Sequence, residues 1–320
     1  MMRKDLGILV LLVVLCTIVS VLNPRFISGA NLQNMARLVG MYGIFSLGLG
    51  AVIIAGGIDL SVGSVFALQG VLLSMMLREW GWPWGLTIAA IILGTMVLGL
   101  IHGLLITRVG LQPFIVTLCG LLLYRGVARF IADDEAKGFG TEDYGPLRDL
   151  ATGTLGPVPM PFVILVLVAV VMWVVLHRSV YGRYLFAVGR NEDAARYSGI
   201  SSRLITASAY VVCSGMAGIS GILIAFYTNS ISPSGHGNFY ELYGIAAAVL
   251  GGCSLRGGEG SLVGIVIGTA LLQVLQNLVN LLGIPSSLNF AVMGTVILVG
   301  VVMDQVLSQR RQRRLARRIV

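Results

Sequence analysis

Charge is scarce in this chain. Asp, Glu, Lys and Arg make up 11% of its 320 residues, where soluble domains carry ~25%. So few charges cannot clothe a surface held in water, which excludes an ordinary soluble globule. Lysine occurs twice, as Lys4 and Lys137. Neither ends a GxxxxGK[ST] run, so no nucleotide-cradling P-loop is present. The four cysteines, Cys16, Cys119, Cys213 and Cys253, stand far apart in apolar segments. They lack metal-ligand spacing and read as small apolar residues. HExxH, GxSxG and CxxC are missing as well, and no long polar stretch could form a catalytic domain. No catalytic residue and no metal site is expected.

What the sequence has in quantity is apolar length. Hydrophobic residues make up 56% of it, and runs of about 17 or more recur, enough to cross a bilayer core. The fold class expected is an all-α, polytopic transmembrane helical bundle forming one domain over 1–320. Ten spans are expected, at roughly 6–22, 38–56, 61–77, 84–106, 112–131, 161–177, 204–227, 241–253, 261–282 and 287–304. The eighth is short and reads as a partial helix, tolerated only against protein or a wet cavity. The start, "MMRKDLGILVLLVVLCTIVSVL", has a basic head and an apolar run like a secretory leader. No small-residue cleavage site follows, and a retained first helix is expected.

Ten spans place both termini on one side, and the positive-inside bias makes that side cytoplasmic. The inner segments then hold Arg3, Lys4, Arg108, Arg256, five arginines between 178 and 203, and six in the tail at 305–320, 15 of the 22 basic residues. The loop at 132–160 is acidic, rich in turn formers, and external in this arrangement. The loop at 178–203 is internal. A net charge of +8 placed at span ends fits topology and anionic lipid rather than nucleic acid.

Glycine is abundant, 42 residues against a usual ~7% of a chain. The pairs Gly99/Gly103, Gly264/Gly268, Ser214/Gly218 and Ala217/Gly221 are each four apart, the spacing that lets membrane helices approach closely. Two glycine-rich interruptions resemble each other: "GGIDLSVGSVFALQG" at 56–70 and "GGCSLRGGEGSLVGIVIG" at 251–268. Gly56-Gly57 answers Gly251-Gly252, and Gly63-Ser64 answers Gly260-Ser261, within a weak internal repeat of 38–77 and 241–282. Helices interrupted near 56–61 and 251–260 at matching places in two halves point to a translocation path. Asp59 lies in the first interruption. It can cap the following helix through N–H groups near Ser61 and Val62, touch a polar solute, or meet a partner subunit. In the ninth span Gln273, Gln276 and Asn280 share one face, with Asn277 beside them. That stripe must meet other helices or line a wet path. His102 reads as a packed, hydrogen-bonded histidine, and His236 carries little signal.

"GGIDLSVGSV" at 56–65 resembles the signature of the ribose-type ABC sugar permeases, the membrane components of binding-protein-dependent importers. "VGRNEDAARYSGI" at 188–200, "LGGCSLRGGEGSLVG" at 250–264 and "QNLVNLLGI" at 276–284 resemble further motifs of that family, in the same order. Cys253 and Arg256 depart from its small or hydroxyl residues. The resemblance implies a multi-pass protein of the bacterial inner membrane that moves a monosaccharide or sugar-like solute, of the ribose, xylose, galactose or autoinducer-2 class. It implies an ABC ATPase subunit docking on Asp193, Ala194, Ala195, Gly199 and Ile200. It also implies a periplasmic or extracellular solute-binding protein and a second permease subunit, identical or similar. ATP and Mg would sit on the partner, and no cofactor on this chain. The alternatives are a self-contained secondary transporter or channel, and a polytopic membrane enzyme.

Overall fold

The computed structural model describes residues 2–141 and 144–285, with residues 288, 291, 292, 294, 295 and 298 singly beyond them. Most of the expected tenth span at 287–304, Asn289 included, lies outside the described residues, and the basic tail wholly so. Helices run α1 Met2–Leu22, α2 Gly29–Ile54, α3 Val62–Arg78, α4 Trp84–Leu104, α5 Pro113–Ile131, α6 Gly145–Thr152, α7 Met160–His177, α8 Val180–Arg190, α9 Glu192–Tyr197, α10 Ser202–Thr228, α11 Tyr240–Leu250 and α12 Leu262–Leu281. Among the described residues, strands are confined to four two-residue pieces. Of these, β1 (Lys137–Gly138) pairs antiparallel with β4 (Ser230–Ile231), while Thr154–Leu155 and Val158–Pro159 form a small hairpin.

Seven helices are long and apolar enough to cross a membrane, and α3 and α11 are shorter apolar helices. The nine helices correspond to the first nine expected spans. The largest difference is at α2, which begins at Gly29 rather than near 38. Its extra turns, "GANLQNMAR", are polar, so an apolar window misses them. The Ser28 hydroxyl accepts the Asn31 N–H and caps them.

Helices α2 and α10 form the centre, with Phe45, Ile53, Ile54, Tyr210 and Ala217 fully buried or nearly so. Small residues bring the helices together as their spacing implies. Gly99 and Gly103 of α4 lie against Ser214 and Ala207 of α10, and Gly264 and Gly268 of α12 lie against Gly251 and Ala247 at the end of α11. Helices α1, α4, α5 and α7 surround this centre and turn apolar faces outward, among them Leu11, Leu93, Leu122 and Val171. That arrangement suits hydrocarbon, where exposed apolar side chains are solvated rather than penalised. Loop 132–160 with β4 lies at one end of the bundle. At the other end lie the amphipathic α8, the short α9 and both glycine interruptions.

Candidate functional site

The first interruption opens where α2 stops at Ile54. Gly56 turns the chain with φ 86°, and residues 57–61 run non-helically to α3. An unwound stretch inside an apolar bundle needs partners for its backbone. The Tyr210 hydroxyl donates to the Ile58 carbonyl at 3.1 Å, and the Gly258 N–H donates to the Ile54 carbonyl at 2.8 Å. Asp59 is fully buried. Its Oδ1 accepts the Ser61 backbone N–H at 2.9 Å and the Ser61 hydroxyl at 2.6 Å, while Oδ2 has no partner among the described residues. The Ser64 hydroxyl donates to the Ser61 carbonyl at 2.7 Å. Gly57 packs against the Tyr210 hydroxyl.

The two interruptions meet. Gly257 of the second lies against Gly56 and the Gly189 carbonyl, and Gly258 lies against Arg190. Any Cβ at Gly189 would fall on the Ile54 carbonyl. Three chain segments from distant parts of the sequence thus cross backbone to backbone, and one of them, the end of α8, leads directly into the loop at 191–201. Sequence reasoning paired Gly56-Gly57 with Gly251-Gly252 but missed Gly189, Gly257 and Gly258 as the residues in contact. Glycine in each segment was the available signal; the crossing exists only in three dimensions.

A charged cluster, with Glu241 buried and Arg125 half-buried, surrounds the first turn of α3. Arg125 of α5 donates to the carbonyls of His236 at 2.6 Å, Gly63 at 3.1 Å and Pro233 at 3.2 Å. Glu241, in the first turn of α11, is buried, and its carboxylate meets the Gly63 backbone. The N-termini of α3 and α11 therefore converge, and a carboxylate there suits both helix dipoles. His102 shares a 2.8 Å hydrogen bond with the Tyr124 hydroxyl and lies against Gly120, opposite Ser61. Neither Arg125 nor Glu241 was singled out from the sequence as a candidate site residue, although ionisable residues inside apolar spans are themselves a functional signal.

The loop at 178–203 is mostly helical. Asn191 Oδ1 accepts the Ala194 N–H at 2.9 Å and caps α9. Asp193 and Arg196 pair at 3.0 Å on its exposed side. Ala195 turns inward, Ala194 and Gly199 are exposed, and Ile200 is half-buried. Tyr197 is 85% exposed, a large aromatic left open on a short, rigidly capped helix. On α12, Gln273 is buried, Gln276 half-buried and Asn280 exposed. Asn277 pairs reciprocally with Asn31 of α2, through amide contacts of 3.1 and 2.7 Å. The four polar residues of α12 thus have separate environments rather than one shared contact.

Against known proteins, residues 31–301 match the family described as branched-chain amino acid transport system / permease component. The chain belongs to this permease family. It is 39% identical to the ribose import permease protein RbsC of Bacillus subtilis, over 94% of this chain and 93% of that one. It is 37% identical to RbsC of Escherichia coli K12, over 92% of each chain. It is also 33% identical to the autoinducer 2 import system permease protein LsrD of Klebsiella pneumoniae, over 96% and 92%. No solved structure matches. The permease family and the apolar helices together make this a multi-pass membrane protein, a transport component rather than an enzyme.

Proposed function

We propose that this chain is the membrane-spanning permease subunit of an ABC importer that carries a monosaccharide or a sugar-like solute across the bacterial inner membrane. The observation that carries this reading is near-full-length similarity to ribose import permeases at 39% identity. Two such subunits, identical or similar, form the path. A separate ATPase, holding ATP and Mg, docks from the cytoplasm on residues 188–200, with Asp193, Ala194 and Gly199 accessible. A solute-binding protein delivers cargo at the opposite face, and both termini are cytoplasmic. The docking surface is favoured by its physical form: a capped, exposed helix ending an arm whose Gly189 touches both interruptions. A soluble partner gripping that helix could move the arm and the breaks as one unit. Movement still requires the partner to favour one conformation over the other.

The test is reconstitution. Proteoliposomes with this chain, its cognate ATPase and its cognate solute-binding protein should accumulate labelled D-ribose or a related sugar only when ATP is supplied. Accumulation by the permease alone would refute the importer reading.

A further inference from the structure

The connection between α10 and α11, "NSISPSGHGNF" at 229–239, is a re-entrant segment. At its start, Ser230 and Ile231 pair with Gly138 and Lys137, and the Gly138 carbonyl accepts from Ser74 and Arg78 near the end of α3. Further on, Ile231 and His236 lie against Gly70 in the middle of α3, and the Gly237 carbonyl lies against Gly63 in its first turn. From Ser74 to Gly63 is about 16 Å along a helix. The segment therefore descends beside α3 well into the span before α11 begins. Arg125 holds it there through the Pro233 and His236 carbonyls.

This placement carries a physical difficulty. Ser232, Ser234, Gly235 and Asn238 are all exposed. The Asn238 side-chain amide has no hydrogen-bond partner among the described residues. Non-helical backbone and polar side chains at such depth do not face lipid; they are covered by protein or they line water. Two observations favour water. The exposed groups at 232–238 are hydroxyls and an amide, and Phe239 at the lower end is the one exposed apolar side chain of the segment. His236, buried beneath them, keeps Nε2 without a partner among the described residues.

We propose that Ser234 and Asn238 line the aqueous translocation path and contact the hydroxyl groups of the passing solute. Ser232 shapes the turn, since its hydroxyl accepts the Gly235 N–H at 3.2 Å. Phe239 fixes the lower end with φ 65°, and strained backbone of this kind gathers where a fixed geometry serves function. The proposal rests on the permease reading above.

The test uses the full transporter in proteoliposomes, with Cys16 and Cys119, the thiols that are not buried, replaced by serine. S234C and N238C should react with a charged, water-soluble thiol reagent, and the reaction should block ATP-driven D-ribose uptake. Their labelling rate should change when ATP is trapped on the ATPase. V171C, on the exposed apolar face of α7, should stay unreactive. S234C gives up only an exposed hydrogen bond to the Ser232 hydroxyl at 3.2 Å and N238C only an exposed side chain, so neither variant removes a buried contact and either decides the matter. Unreactive S234C and N238C would mean protein covers the segment and would overturn the proposal. So would labelling that is indifferent to ATP and leaves uptake intact. Failure of the unsubstituted complex to transport sugar would count against the sugar reading alone, because thiol labelling and its ATP dependence are read separately.

Discussion

Arg125 reaches three backbone carbonyls at once through Nη1 and Nη2, a spread that suits its rigid planar fork better than the point charge of a lysine. Removing it leaves those acceptors buried and leaves Glu241 without a nearby cation. Each backbone acceptor left buried without its donor costs about 1–3 kcal/mol. R125A should therefore unfold markedly earlier in detergent than the unsubstituted chain, and R125K should recover little. An unchanged melting temperature for R125A would show that the re-entrant segment stands without its clamp. Asp59 poses a finer question, because one oxygen accepts the Ser61 N–H and the other has no protein partner among the described residues. D59L removes the acceptor of the Ser61 N–H and hydroxyl, hydrogen bonds worth about 0.5–1.5 kcal/mol each, and should lower the folded yield. D59N keeps an acceptor and should recover much of it. A stable D59L that no longer transports would instead assign Asp59 to the path.

At the scale of elements, the informative feature is the crossing of the two interruptions with the end of α8. Gly189 has no room for a Cβ against Ile54, so G189A must push the arm and the first interruption apart. We expect slowed transport with the ATPase still bound, measured as uptake per ATP hydrolysed. An unaltered ratio would show that the contact transmits nothing. Gly199 ends α9 with φ 82° in open space. A side chain there meets no neighbour within this chain but costs about 1–2 kcal/mol of backbone strain. G199E adds bulk and charge to the proposed docking face and should weaken ATPase association while the protein still reaches the membrane. Normal association and uptake would remove residues 188–200 from consideration. The sequence made these elements partly legible. The glycine pairs announced both interruptions. The crossing itself was invisible, because Gly56, Gly189 and Gly257 are separated by long stretches of chain and nothing local couples them.

For the whole molecule, sidedness is the testable property. Loop 132–160 and the start of the re-entrant segment share one end through the β1–β4 pair, while α8, α9 and the interruptions occupy the other. A reporter inserted at residue 140 should read as external, and a cytoplasmic signal would invert the assignment of every face. Apolar run lengths and scarce charge were enough to determine an α-helical membrane bundle, the positions of its first nine spans apart from the start of α2, and its two polar loops, because a bilayer permits almost nothing else for such a composition. Motif order was enough to indicate the family. Only the tertiary structure decided that Arg125, Glu241 and residues 232–239 gather around the first turn of α3, and that three distant glycine segments touch. Such contacts depend on how helices pack against one another, and packing among small residues is set by shape across the whole bundle rather than by any pattern along one helix.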